Sequence, residues 1–280
     1  MAQGSLVVVG TGIKLANQCT LEARYHIETA EVVFEVVGDA VAQAWLRQRN
    51  PNVISLQPLY GCERARSDTY EAMVETILDE VRAGKAVCAA FYGHPGVYVY
   101  PSHEAIRRAR AEGFAAEMLP AVSADGCMYA DLGFDPGWLG CQSYEATDFL
   151  INARRFDPTA VLVLWQVALV GDRTLRVFEA DARRLDVLAE VLMQDYPADH
   201  AVTIYSAATL PINGPNVQTV ALHALSTANV TQESTLYVPP LRAPAPCPDR
   251  LALLSARLGQ APGRGEEWRP RRDSNSRPSA

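Results

Sequence analysis

Four short apolar runs constrain this chain more than any other feature. They are SLVVV (5–9), EVVFEVV (31–37), NVISL (52–56) and AVCAAFY (86–92). Hydrophobicity that is continuous rather than alternating marks strands buried on both faces, as in a parallel sheet covered by helices. The segments between the runs supply the helices. Thr20 caps a helix over 20–30, and Asp39 caps one running toward Arg49. A third runs from about Thr69 to Arg82 and stops at Gly84, and Ser102 caps a fourth that ends near Glu112. FAAEML (114–119) offers a fifth strand. Strand–helix alternation gives an α/β layer with a mostly parallel sheet. Such sheets bind ligands beyond the carboxyl ends of their strands. The loops at 10–14, 57–66, 93–101 and 120–124 are therefore expected to gather at one edge.

The second half reads differently. VLVLWQVAL (161–169), HAVTIYSA (200–207), VQTVAL (217–222) and STLYVP (234–239) are strand-like, and 181–195 has helical spacing. A mixed α+β domain follows from this, with the boundary in the turn-rich stretch FDPGWLG (134–140). The division is 1–135, 136–240 and a Pro- and Arg-rich tail, 241–280. In that tail APAPCP (243–248) is unsuited to helix or strand, LALLSARLG (251–259) suits a short helix, and the rest reads as disordered.

With 49% hydrophobic and 20% charged residues, the chain is neither wholly disordered nor collagen-like. Its longest charge-free apolar run, from Thr159, stops at Asp172, short of the roughly 20 residues of a membrane span. No basic residue precedes Lys14, so no signal peptide is read. The tail holds eight Arg and four acids, whereas the whole chain carries −7, so the body is strongly acidic. An acidic body repels phosphate backbones, which disfavours nucleic acid as a partner. The six cysteines show no C-x-x-C pair and no nearby His that completes a zinc pattern. Free thiols in a reducing cytoplasm, with no metal, are expected.

Three loops carry candidate chemistry. Gly10 and Gly12 follow the first strand and permit a close backbone approach. A dinucleotide fingerprint does not fit, because position 15 is Leu and no acid is read at the end of a clean second strand. FYGHPGVYVYPSH (91–103) is rigid and aromatic where a solvent loop is polar. In LYGCERARSDTYEAMVETI (59–77), Asp68 and Glu71 have capping-box spacing, so the helix is placed to begin close to Asp68. Tyr70 then either closes the apolar stripe Val74–Ile77–Val81 or meets Arg66 at the helix entrance, where a guanidinium favours the phenolate.

Together these pieces resemble the tetrapyrrole methylase superfamily of S-adenosylmethionine-dependent methyltransferases. Gly10, Gly12 and Thr20 match its first motif, with Lys14 in place of a third glycine, and Gly93-His94-Pro95-Gly96 stands where most members have G-D-P. FYGHPGV, LPAVSADGCMYADLGFDP, CQSYEATDFL, LVLWQV and STLYVPP are similar to the borosin peptide backbone α-N-methyltransferases over about residues 4–240. The resemblance implies a two-domain tetrapyrrole-methylase-like α/β fold and a homodimer. It implies Tyr60, Arg66 and Tyr70 as catalytic residues. S-adenosyl-L-methionine, released as S-adenosyl-L-homocysteine, would contact Tyr92, His94, Val97, Ser123, Ala124, Gln166, Ser206, Ala207, Ser234 and Thr235, the last five from the C-terminal part. Fungal members have a Tyr where this chain has Gln57, and they carry a hydrophobic substrate peptide at their C-terminus. The tail here has no Val or Ile, so the chain is read as the split, bacterial form, acting on a separate ribosomally made precursor. Rival readings are a methyltransferase of the same fold acting on a tetrapyrrole, ribosomal RNA or a modified protein side chain, and a non-catalytic peptide binder. His94 in place of Asp disfavours the tetrapyrrole reading, the acidic body the RNA reading, and the intact Tyr60, Arg66 and Tyr70 the binder.

Overall fold

A computed structural model describes residues 4–61, 66–172 and 179–258. Cys62, residues 62–65 of the second loop, and the tail beyond 258 that is read as disordered lie outside the described residues. The chain divides into two compact units.

The first unit takes Met1–Leu132 and includes the later segment Ser206–Asn216. Its strands are β1 (Ser5–Gly10), β2 (Val32–Val36), β3 (Val53–Ser55), β4 (Ala86–Phe91) and β5 (Ala115–Met118). They form one all-parallel sheet in the order β3-β2-β4-β1-β5. The apolar runs of the central strands β1, β2 and β4 are largely buried on both sides, as parallel strands require, whereas Ile54 of the edge strand β3 is exposed. Leu6, Val8, Phe34, Val87 and Ala89 pack with Met73, Val74, Ile77 and Val81 of α3 (Arg66–Arg82) and with Ala105, Ile106 and Ala109 of α4 (Tyr100–Ala111). Val9, Val33, Cys88 and Ala90 pack with Ala23 and Ile27 of α1 (Leu21–Thr29) and Ala42 and Leu46 of α2 (Ala40–Arg47). Each fully buried Leu, Ile or Val side chain contributes about 1.5–3 kcal/mol.

The two N-caps are as the sequence has them. Thr20 Oγ1 accepts from Ala23 N at 3.0 Å, and the Asp39 carboxylate accepts from Val41 N and Ala42 N at 2.9 and 2.8 Å. Two other starts differ. The third helix begins at Arg66, ahead of the capping-box estimate at Asp68. The fourth begins at Tyr100 with Val99 at its cap, and Ser102 caps nothing. Pro101 suits the first helical turn, where its missing N–H costs no bond. The Ser102 hydroxyl turns back instead to the carbonyls of Pro95 and Val99.

The strand order sets the candidate site. From β1 the chain crosses to β2 through α1. From β4, its neighbour, it crosses the other way to β5 through α4, on the opposite face. The carboxyl ends of β1 and β4 thus form the topological switch point where open α/β sheets hold ligands.

The second unit begins at Gly133. Its sheet, β6 (Cys141–Glu145), β7 (Val161–Trp165), β8 (Ala201–Ser206), β9 (Asn216–Ala221) and β10 (Thr235–Val238), has the order β6-β7-β10-β8-β9. The sheet is mixed, with β6 parallel to β7 and β10 antiparallel to both β7 and β8. Leu185, Leu188, Ala189 and Leu192 of α8 (Ala182–Leu192) cover Leu162, Leu164, Val202, Ile204, Leu236 and Val238. The sequence reading did not resolve β6 or three short helices, α5 (Ala124–Leu132), α6 (Pro136–Leu139) and α7 (Ala146–Ile151). The tail's helix, α9 (Pro248–Leu258), starts on the last proline of the stretch read as non-helical, and none of its residues is buried.

Among the described residues no helix is long and apolar enough to cross a membrane, and no group of three His, Cys, Asp or Glu could hold a metal ion.

Candidate active site

The loops after β1, β4 and β5 converge at the switch point. Gly12 and Gly93 exchange backbone hydrogen bonds, Gly12 N to Gly93 O at 3.3 Å and Gly93 N to Gly12 O at 3.0 Å. Both have left-handed backbones, with φ of 72° and 69°. A Cβ on Gly10 would lie 2.1 Å from Gly93 O, 2.5 Å from Ala121 Cβ and 2.8 Å from Pro95 Cδ. Only glycine lets these three loops meet. Gln18, which the sequence reading passed over, holds the first loop's shape. Its Oε1 accepts from Ile13 N and Lys14 N at 3.1 and 2.7 Å, in the way a cap satisfies a helix start. No spacing rule announces such a contact.

The acid at a dinucleotide's ribose position needs a correction. Glu35 does stand in β2. It is fully buried, however, and its Oε2 accepts from Val37 N at 3.0 Å, so it presents no carboxylate to a ribose.

The Gly93–Gly96 loop is clamped by α4. Ser102 bonds the Pro95 carbonyl, and His103 Nε2 donates to Gly96 O at 3.0 Å. His94 Nδ1 accepts from Gly96 N at 2.9 Å, which leaves the neutral ring's proton on Nε2. Tyr92 and Val97 are partly exposed beside it. Ser123 precedes α5, its hydroxyl on the Asp125 carboxylate, and Ala124 is the helix's first residue. Ser206 and Ala207 lie just before Thr209, whose carbonyl accepts from Leu15 N of the first loop at 2.9 Å. These residues are thus grouped in the first unit.

The remaining three, Gln166, Ser234 and Thr235, belong to the second unit. The β10–β7 register pairs Leu236 with Leu164 and, continued antiparallel, sets Ser234 opposite Gln166. Ser234 and Thr235 are buried polar residues, and Ser234 Oγ accepts from Thr231 N at 2.9 Å. Gln166 sits in the left-handed region, φ 56° and ψ 36°, rare for a residue with a side chain.

Tyr60, Arg66 and Tyr70 come together at the entrance of α3. Tyr60 lies on the short 3-10 turn Gln57–Gly61, and Arg66 and Tyr70 are one helical turn apart. The Tyr60 and Tyr70 rings meet edge-on, centroids 6.3 Å apart and planes at 86°. The Tyr60 phenol is pushed up to about 12, first by burial, then by the charge and hydrogen bond of Tyr70, while the Arg66 guanidinium pulls it down. Tyr60 is therefore the donor of that pair. The Arg66 charge thus reaches the Tyr60 hydroxyl. Tyr70 itself is half-buried at the edge of the sheet–helix core, and the near-parallel ring of Tyr100, centroids 6.1 Å apart, covers it. It serves both the core and the surface.

Residues 5–217 match the family of Tetrapyrrole (Corrin/Porphyrin) Methylases. The chain belongs to that family. Among similar proteins, the methyltransferase/ribosomally synthesized cyclic peptide gymnopeptides precursor of Gymnopus fusipes is 41% identical, over 90% of this chain and 62% of that one. The methyltransferase/ribosomally synthesized type I borosin cyclic peptide precursor of Coprinopsis marcescibilis is 43% identical, over 85% of this chain and 62% of that one. The chain thus spans about three-fifths of these fungal relatives, whose names join a methyltransferase to a precursor. The uroporphyrin-III-C-methyltransferase of Thermus thermophilus shares the fold, with a TM-score of 0.61, 19% identity, and coverage of 91% of this chain and 96% of that one.

Proposed function

We propose that this chain is an S-adenosylmethionine-dependent methyltransferase that methylates backbone amide nitrogens of a ribosomally made peptide. The observation that carries the reading is the Tyr60–Tyr70 hydroxyl pair with Arg66 beside it, in the same unit as the clamped His94 loop. The likeness to borosin precursors adds the peptide as acceptor class.

The residues at the switch point suit the cofactor: an exposed phenol ring at Tyr92, an imidazole Nε2–H at His94 and the Ser123 hydroxyl offer stacking and hydrogen bonds to a nucleoside. Gln166, Ser206, Ala207, Ser234, Thr235, Val97 and Ala124 belong to the same assignment. When bound, S-adenosylmethionine supplies an electrophilic methyl group. An amide nitrogen is a poor nucleophile because its lone pair is delocalised into the carbonyl. Tyr70 is the group assigned to take the N–H proton, directly or through one water. Tyr60, which keeps its proton because burial first of all pushes its phenol up to about 12, and Arg66 face the negative charge that develops on the carbonyl oxygen. These groups would hold the nitrogen against the bound cofactor, which would supply the methyl group to it.

The reading takes the acceptor to be a separate precursor peptide, in the split, bacterial arrangement. The working assembly is a homodimer in the cytoplasm. The parts are 1–135 with the tyrosines and the His94 loop, 136–240, and the tail. The test is incubation of the purified chain with labelled S-adenosylmethionine and candidate peptides, followed by tandem mass spectrometry. Methyl groups on backbone nitrogens support the reading, and side-chain or tetrapyrrole methylation overturns it. Methylation of the chain's own tail without added peptide overturns the separate precursor. Light scattering reads the dimer.

A further inference from the structure

We propose that Tyr100 is a positioning residue for methyl transfer, holding the ring of Tyr70 in place from the first turn of the helix that clamps the His94 loop. The inference rests on Tyr70 being the base.

Two contacts define the role. The Tyr100 ring lies near-parallel to Tyr70, with centroids 6.1 Å apart and planes at 29°. Its hydroxyl donates to Glu71 Oε1 at 2.8 Å, and the other Glu71 oxygen takes Arg108. Arg108 also reaches Glu75 at 2.8 Å and Glu104 at 2.6 Å, so the anchor joins α3 to α4. Tyr100 is 48% exposed, which is too open for a residue whose purpose is to fill the core. It begins α4. Two and three residues on, Ser102 and His103 bond the carbonyls of Pro95 and Gly96. One helical turn therefore fixes the candidate base on one side and the candidate cofactor loop on the other. That coupling matters because a misplacement of about 1 Å between reacting groups can cost about a hundredfold in rate. Aromatic pairs of this kind are stabilised beyond their buried area, which favours one ring orientation.

The experiment uses the full chain with S-adenosylmethionine and a peptide that the wild type methylates. Tyr100→Ala is expected to lower kcat about tenfold while the KM for S-adenosylmethionine stays within about twofold, because Ser102 and His103 still clamp the loop. Tyr100→Phe keeps the ring and is expected to restore kcat to within about threefold of wild type. Tyr100→Leu, which keeps apolar bulk without a ring, should match Tyr100→Ala and guards against simple misfolding. A kcat for Tyr100→Ala and Tyr100→Leu that equals wild type overturns the proposal. So does a Tyr100→Phe variant as slow as Tyr100→Ala. Tyr70→Phe separates the two levels. If it stays active, the base assignment itself fails. If it is inactive while Tyr100→Ala is normal, only the positioning role fails.

Discussion

The Tyr60 and Tyr70 rings meet edge-on, centroids 6.3 Å apart, and Arg66 opposes the burial that holds the Tyr60 proton in place. Tyr60 and Tyr70 therefore differ in task despite their shared chemistry. Tyr60→Phe keeps the ring contact and removes the donor. Loss of one preorganised donor to a developing oxyanion typically costs about 10²–10³ in kcat. That loss is expected here, with S-adenosylmethionine affinity unchanged. Tyr70→Phe is expected to abolish transfer at the same affinity. Single-turnover rates beside calorimetric binding check both. A Tyr60→Phe enzyme of wild-type speed removes Tyr60 from the mechanism.

Gly10 and Gly93 make a contrasting pair. A Cβ at Gly10 falls within 2.1 Å of a backbone oxygen that has nowhere to go. A Cβ at Gly93 meets only Ile13 Cδ1, at 3.2 Å, but the backbone there has φ 69°. Gly93→Ala should cost about 1–2 kcal/mol, the left-handed penalty for an L-residue. Gly10→Ala must push apart the loops after three strands, so a larger loss of stability and of S-adenosylmethionine binding is expected. Chemical denaturation of both variants gives the order, and a Gly10→Ala protein as stable as Gly93→Ala contradicts the packing.

Tyr196 gives a pH prediction. It is 3% exposed, its hydroxyl has no partner among the described residues, and burial, then the charges of Asp195 and Asp157, push it up to about 12 from 10.0. Between those values the unfolded chain gives up the proton and the folded chain keeps it. Stability therefore falls as pH rises from about 10 to about 12. Tyr196→Phe should flatten that fall and cost little at neutral pH, since it removes an unsatisfied group. Urea unfolding across that alkaline range measures the slope. An unchanged slope in the variant assigns the effect elsewhere.

The first sheet is legible in the sequence because its strands are short and mainly apolar, with β1 and β4 unbroken runs, and Thr20 and Asp39 mark helix starts by residue type alone. Ser102 misleads for a physical reason: a serine before an apolar stripe looks like a cap, but Pro101 opens the helix earlier and frees the hydroxyl for Pro95. β6, CQSYE, has neither an apolar run nor clean alternation, because it lies at the edge of a mixed sheet. Tyr60, Arg66 and Tyr70 are found through motif resemblance. The direction of their contacts is not in the sequence, nor is the arrival of Tyr100 thirty residues later, because both depend on how α3 and α4 pack.

Gln166 connects strain to binding in the second unit. A residue with a side chain held at φ 56° costs about 1–2 kcal/mol, and such positions persist where function requires them. Gln166→Gly relieves the backbone and removes the side chain, whereas Gln166→Ala removes the side chain and keeps the strain. If Gln166 contacts the cofactor as assigned, both variants lose S-adenosylmethionine affinity equally. The glycine variant should then be more stable than the alanine variant by about 1 kcal/mol. Binding isotherms and thermal melts of the pair read the two effects separately. Wild-type affinity in both variants removes Gln166 from the cofactor set, and equal melting points show that the turn does not store strain.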